Sequence, residues 1–460
     1  MNSAESYDVA VIGAGVVGCA IARQLARYQL RTVVLEKAND VGTGTSKANT
    51  AILHTGFDTV PGTLESSLVR RGHDLLADYA ARSGIALEKT GAILVAWDQE
   101  QLDRLDGLIE KVHTNGYAPA RRMSTVELYQ REPHLGPGAT GAVHIPDEWI
   151  ICPWSTSIAF ATEAVSAGVE FRLGVEVVNA TRDLGWWTLT TSGEPVQADW
   201  VINAGGLSSD SLDRLFGHEG FTITPRRGQL IVFDKLARSL LSSILLPVPT
   251  ERTKGVLVAP TVYGNVLLGP TAEDLSDRRD TASTADGIAG LLGAGRAILP
   301  RLLDEEVTAT YSGLRAATEH RDFQISTDTE RHYVCVGGIR STGLSASLAI
   351  GEYAIEQLVH AGVRLSEVDH EPMIPQMPQL AEHGIRPYQN AELIESDPAY
   401  GTLVCFCERV SEGELRDAMA STLAPSDLGG LSRRTRVTNG RCQGFYCGAG
   451  VAARLAGMKP

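Results

Sequence analysis

The first forty residues leave this chain few folds to choose from. Tyr7-Asp-Val-Ala-Val-Ile12 is the kind of apolar run that a buried parallel strand requires, and it leads straight into Gly13-Ala-Gly15-Val-Val-Gly18. An Ala/Leu-rich helix follows to about Tyr28, and Arg31-Thr-Val-Val-Leu-Glu36 reads as a second strand ending on an acid. Gly13 permits the tight turn, Gly15 lets a pyrophosphate approach the backbone, and Gly18 lets helix and strand pack closely. The helix start, from Ala14 through Val16 and Val17, offers unpaired N–H groups and a positive dipole end to phosphate. Glu36 stands 18 residues beyond Gly18, where a carboxylate can bind ribose hydroxyls. Strand, helix, strand and terminal acid agree on a dinucleotide site; an empty Rossmann unit is the alternative.

Two later stretches favour FAD over NAD. Trp186 to Trp200 alternates like a hairpin and feeds the strand Trp200-Val-Ile-Asn-Ala204-Gly205-Gly206, which would deliver small residues beside the first site. Tyr333-Val-Cys-Val-Gly-Gly338 is a third such strand, opening into Ile339-Arg-Ser-Thr-Gly343-Leu344 and then a helix from Ser345 to His360. That helix start suits the flavin's pyrimidine end, where it would stabilise negative charge. The expected cofactor contacts beyond the first loop are Lys37 after Glu36, and Thr45, Ser46, Asn49 and Thr50. Val177, Ala204, Gly205, Gly338, Ile339, Gly343 and Leu344 complete the set.

At the other end, Cys405-Phe-Cys407 and Cys442-Gln-Gly-Phe-Tyr-Cys447 place four of the seven cysteines in the last 56 residues. Four thiolates in two close pairs can hold a 2Fe–2S cluster or a structural zinc. Cys19, Cys152 and Cys335 sit in apolar or helical contexts and read as small buried hydrophobes. The length of 460 residues is too great for one ordinary core. A net charge of −14 argues against nucleic acid or an anionic membrane as a general partner, so an anionic substrate needs a local cationic pocket. No basic, apolar leader and no run of about 18 apolar residues stands out, so neither a signal peptide nor a transmembrane segment is expected. With the odd cysteine count, the expectation is a cytoplasmic protein, or one held at the membrane through a partner.

Ser46-Lys-Ala-Asn-Thr-Ala-Ile-Leu-His54-Thr-Gly, Pro225-Arg-Arg-Gly-Gln229, Lys254-Gly-Val-Leu-Val-Ala-Pro-Thr-Val-Tyr-Gly-Asn265, Leu267-Leu-Gly-Pro-Thr271 and Ser312-Gly-Leu-Arg315 carry a family resemblance. Over residues 5 to 365 the chain resembles the glycine oxidase/glycerol-3-phosphate dehydrogenase flavoproteins, closest to the glycerol-3-phosphate branch. The tail from about 400 is similar to the 2Fe–2S domain of anaerobic glycerol-3-phosphate dehydrogenases and to bacterioferritin-associated ferredoxin. The fold class implied is α/β, with a Rossmann-type FAD-binding domain, an interleaved α+β substrate domain and a small C-terminal iron–sulfur domain. The FAD-binding segments would run about 5–90, 146–220 and 312–368, the substrate segments 91–145 and 221–311. A Pro-rich linker would occupy 371–400 and the cysteine domain 401–460, with Ser411 capping a short helix.

In such an enzyme the flavin takes the hydride while a base takes the hydroxyl proton. His54 is the candidate base, since imidazole titrates near neutrality and the resemblance puts this histidine at the reacting centre. Arg315 can hold a carboxylate or phosphate with two parallel hydrogen bonds, and the resemblance gives it that role. Lys254 matches a substrate-pocket lysine of the same branch; Ser341 and Thr342 either donate to substrate or cap the helix. Arg340 resembles the carboxylate-binding arginine of amino-acid oxidising relatives. Glu319, His320 and Arg321 either line the pocket or lie on a solvated loop, and His73, His113 and His134 read as surface residues. The expected activity is oxidation of glycerol 3-phosphate or a 2-hydroxy acid, electrons leaving through the cluster to an acceptor protein or quinone. The alternatives are oxidation of an amino acid or secondary amine, an electron-transfer subunit working beside a second flavoprotein subunit, and a cluster-carrying regulatory protein.

Overall fold

A computed structural model describes residues 5–249 and 255–457. Two large sheets dominate the fold, and a small domain closes the chain. The first sheet is built on four parallel neighbours, Glu170–Leu173, Thr32–Glu36, Glu5–Ile12 and Val196–Asn203, with Tyr333–Gly337 added parallel to the last. The alternating segment does form a hairpin: Trp186–Thr191 pairs antiparallel with both Val196–Asn203 and Val177–Asp183. The helices Val16–Leu25, Pro153–Ser166 and Gly343–His360 cover one face and bury an apolar stripe that includes Cys19, Ile21, Leu25, Phe160 and Ile350. Cys19, Cys152 and Cys335 are fully buried, as their contexts imply.

Among the described residues the second sheet has nine strands, drawn from both expected substrate segments and from the strand that follows them. Its longest pair is antiparallel, Thr224–Phe233 against Val307–Ala317. The expected 311/312 boundary therefore falls inside a continuous strand. Leu257–Pro260 and Val266–Gly269 pair as an antiparallel hairpin, whose loop Thr261 closes by donating its N–H to the Asn265 carbonyl. His73 is not a surface residue. It is buried on the Leu64–Ser83 helix, with Nδ1 on Asp74 and Nε2 on the Asp147 carbonyl. His113 is exposed and His134 half-buried.

The Pro-rich segment after residue 370 crosses the surface of the larger body, tied by Met377 N–H to the Ser83 carbonyl and by Glu382 N–H to the Val262 carbonyl. The last domain has a short hairpin, Leu403–Cys405 with Val410–Ser411, and the helices Glu412–Met419, Leu428–Thr435 and Gly448–Gly457. Ser411 caps the first of these helices through a reciprocal pair with Glu414. Among the described residues no helix is long and apolar enough to cross a membrane.

Candidate functional site

The nucleotide end assembles as its glycines require. Gly13 has φ +104°, and a Cβ there would stand 2.6 Å from the Ala204 carbonyl oxygen; at Gly18 it would stand 1.9 Å from the Gly13 oxygen. The first loop and the second strand's end are therefore in backbone contact. Gly343, at the start of the last long helix, faces Val17 and Ile339, which brings the third loop to the same place. The Glu36 carboxylate accepts the Ala14 N–H at 2.7 Å and the Ala38 N–H at 2.8 Å, so it is fixed beside the glycine loop. Ser46 Oγ accepts the Val16 N–H at the helix start, 2.9 Å away, where an anion's oxygen is expected. Lys37 is exposed, Thr50 half-buried and Val177 buried at its strand's start; Gly205 and Gly338 lie on loops, and Leu344 is buried in the first turn of the Gly343–His360 helix.

The second sheet meets this loop through one face of the Val307–Ala317 strand. Alternate residues of a strand share a face. Tyr311 donates to the Asn49 carbonyl at 2.6 Å, a Cβ on Gly313 would strike the Ala48 oxygen at 2.0 Å, and Arg315 is next in that row. Its guanidinium lies against Gly228, where a Cβ would approach Nη2 to 2.7 Å. Nη2 makes a long 3.5 Å contact to the Thr271 carbonyl, and among the described residues no carboxylate forms an ion pair with Arg315. Burial, then the nearby Arg226, pulls its guanidinium below the ordinary arginine range. A half-buried cation with donors left over is what an anionic ligand would satisfy.

His54 follows the same loop. Its backbone N–H donates to Ser345 Oγ at 2.7 Å, and its Nδ1 lies 3.0 Å from Glu148 Oε2. Glu148 is fully buried, and its other oxygen accepts the Thr55 N–H and hydroxyl at 2.6 and 2.8 Å. A carboxylate held this firmly fixes the imidazole's orientation and places the ring proton on Nδ1, leaving Nε2 as the acceptor nitrogen. Nothing in the sequence pointed to Glu148.

The residues expected around Arg340 are engaged elsewhere. Arg340 donates to buried Glu65 at 2.6 Å and to the Arg321 carbonyl at 2.7 Å, and the Thr342 hydroxyl donates to the other Glu65 oxygen at 2.7 Å. Ser341 is exposed. Glu319 accepts the Thr222 N–H and His320 contacts the Gly220 carbonyl, both on an exposed loop. Lys254 lies outside the described residues.

In the last domain the four cysteine thiols lie within electrostatic reach of one another, Cys407 of Cys442 and Cys405, and Cys447 of Cys405 and Cys442. Burial and then neighbouring Cys405 push the Cys447 thiol up to about 11, and burial also raises Cys407; backbone N–H groups led by Tyr446 lower Cys442. Four such sulfurs suit a two-iron cluster, which takes four thiolates in all. A bound metal reverses this mutual discouragement, because it favours every thiolate at once. Four non-glycine residues around the quartet, Arg409, Arg436, Thr438 and Gln443, adopt left-handed backbone, which fits a tightly specified site. Phe406, Phe445 and Tyr446 project into solvent from the two motifs.

This domain is seated by ion pairs. Asp40, just after Glu36, is buried and receives Arg434 at 2.7 and 2.9 Å and Arg433 at 2.6 Å. Burial pushes its carboxyl up, but the two guanidiniums outweigh that and hold it below its ordinary value. Arg441 reaches Asp234 at 2.8 Å, and Lys235 reaches Glu408 at 3.2 Å.

Residues 8–357 match the FAD dependent oxidoreductase family (DAO), and residues 403–456 match the BFD-like 2Fe–2S binding domain. The chain therefore belongs to the FAD-dependent oxidoreductases and carries a 2Fe–2S domain at its end. Within that class it is glycerol-3-phosphate dehydrogenase-like. It is 33% identical over 455 residues to a glycerol 3-phosphate dehydrogenase of Caloramator mitchellensis, covering 98% of this chain and 94% of the relative. It is 30% identical to a glycerol 3-phosphate oxidase of Mycoplasma pneumoniae, over 77% of this chain and 95% of that one. The solved, FAD-bound L-alpha-glycerophosphate oxidase of Mycoplasma pneumoniae superimposes with a TM-score of 0.77 at 29% identity, over 81% of this chain and 99% of the other.

Proposed function

We propose that this chain oxidises glycerol 3-phosphate at the secondary hydroxyl and passes the electrons to a one-electron acceptor, a protein or a quinone. The observation that carries the substrate class is Arg315, a half-buried guanidinium with no carboxylate partner among the described residues, on the sheet face that meets the cofactor loop. When bound, FAD would take the hydride and the 2Fe–2S cluster would pass electrons onward singly. The glycine loop, Glu36 and Ser46 would hold the dinucleotide, and the four cysteines the cluster. Arg315 would clamp the substrate's anionic group and so fix the reacting carbon. His54 would take the hydroxyl proton at Nε2, and Glu148 would hold the ring and face the charge it gains. The substrate sheet would keep bulk water from the reacting face.

The relative named a dehydrogenase spans both domains, which supports a substrate shared with it. L-2-hydroxyglutarate dehydrogenases are also related, but this chain covers only 63% of one from Caenorhabditis elegans. The amino-acid reading is weakened because Arg340, the second cation it needs, is engaged by Glu65. Anaerobic mixing with glycerol 3-phosphate, L-2-hydroxyglutarate and proline decides. Glycerol 3-phosphate should bleach the flavin band; bleaching by another compound alone would overturn the assignment, and bleaching only by a partner protein would make this an electron-transfer subunit. Arg315→Lys should raise KM strongly with the flavin spectrum intact, and an unchanged KM would remove Arg315 from the substrate site. His54→Asn should slow flavin reduction by about 10²-fold or more, the usual range for a lost general base. A rate equal to the parent's would exclude that role.

A further inference from the structure

Between the cofactor loop and the cysteine quartet lies a contact that none of the site residues accounts for. Trp154 and Tyr263 stack with centroids 5.2 Å apart and planes 22° from parallel. Trp154 Nε1 donates to the Lys47 carbonyl at 3.1 Å, directly within the cofactor loop. Beside both rings the last domain lays Arg436, its guanidinium 4.0 Å from the Tyr263 ring centre and 5.5 Å from that of Trp154. Arg436 is buried, adopts φ +73° at the end of the Leu428–Thr435 helix, and donates through Nε to Glu408 at 3.2 Å. Glu408 is the residue after Cys407. An unbroken series of contacts thus runs from Lys47 through two aromatic rings and one guanidinium to the residue beside a cluster ligand.

A left-handed backbone is costly for arginine, where glycine would adopt it freely. An ion pair alone does not call for a flat cation pressed on a ring, since a lysine would serve Glu408 as well. Guanidinium stacking on an aromatic face is the feature that only arginine supplies.

We propose that Arg436, through Tyr263 and Trp154, is the positioning residue that seats the iron–sulfur domain on the cofactor loop and sets the contact across which electrons leave the flavin. This rests on the relay reading above. Each transfer moves one electron from reduced flavin to the oxidised cluster. A one-electron acceptor drains the cluster between two such transfers, and the flavin's two protons pass to solvent as it returns to its oxidised form.

The test uses holoenzyme under anaerobic conditions, with the flavin reduced by illumination in the presence of oxalate so that no substrate assignment is involved. Flavin bleaching and the reduced cluster's electron paramagnetic resonance signal are followed together, and iron content is measured. Arg436→Met and Tyr263→Leu should bleach like the parent but develop the cluster signal about tenfold more slowly, equivalent to about 1.4 kcal/mol on the barrier. Tyr263→Phe keeps the ring and should restore the parent rate, which a merely structural role for the Tyr263 hydroxyl would not allow. If Arg436→Met loses iron, Tyr263→Leu, a change in the other domain, carries the decision. Parent-like cluster reduction in an iron-replete variant lacking the ring would overturn the proposal. Absence of the signal in the parent enzyme itself would overturn the relay reading and this contact together, whereas a normal parent with indifferent variants would remove the contact alone.

Discussion

The nucleotide loop and the cysteine domain both exist to hold a redox group, and they do it with opposite means. The loop is held by backbone. Gly13 and Gly18 pack against carbonyl oxygens, and the strands beneath them belong to a large apolar core. Among the described residues the cysteine domain has a core of only eight buried apolar residues, and two of those are the candidate ligands Cys405 and Cys447. So small a core supplies little stability, and metal ligation becomes part of folding. Its seat on the body is likewise made by charged side chains: Arg436 on the Tyr263 and Trp154 rings, Asp40 with Arg433 and Arg434, Asp234 with Arg441, and Glu408 with Lys235. Position is thus set by shape in one region and by charge in the other.

The comparison predicts different ways to break each region. Stripping iron with a chelator, or Cys405→Ser, should unfold the last domain outright while the flavin stays bound. Proteolysis would then release the tail, and a tail that stays resistant would show the small core to be sufficient. Asp40→Asn leaves two buried guanidiniums without their charge partner and should weaken docking by about 3 kcal/mol. Hydrogen exchange in the Leu428–Thr435 helix reports that loss, and raised salt should affect it far less than an exposed pair. Gly18→Ala drives a methyl group into the Gly13 oxygen and should cost about 1–3 kcal/mol, with lost FAD retention and an intact cluster. Equal damage to both cofactors would sink the claim that the regions are separable.

Mild acid is the gentlest probe. Asp40's folded carboxyl titrates below its unfolded value, so its contribution is complete above about pH 4 and lost as pH falls through the lowered value. Tail protection against protease should therefore fade on acidification below pH 4, before the flavin is released.

Much of this was legible in the chain because it is local. A glycine at fixed spacing after an apolar run, a period-two stretch between tryptophans, and two short cysteine motifs each report structure within a few residues. Arg315 stood out as a candidate because its stretch resembles a family motif. Glu148 did not: it meets His54 across 94 positions, and a lone glutamate in a loop carries no periodic signal. Arg340 looked like a ligand because its neighbours resemble a ligand motif, yet Glu65, 275 positions away, engages it. His73 read as polar surface because its helix is rich in charge, but burial is decided by what packs against that helix.

By itself the sequence pointed to FAD, to a four-cysteine centre at its end, and to an arginine able to hold an anion. Those are properties of backbone conformation and donor chemistry, which a short stretch of residues specifies. Only the tertiary structure decided which cations have carboxylate partners, what orients the histidine, and where the cysteine domain sits. Ion pairing and stacking depend on distances between residues hundreds of positions apart, and the packing of the two sheets sets those distances.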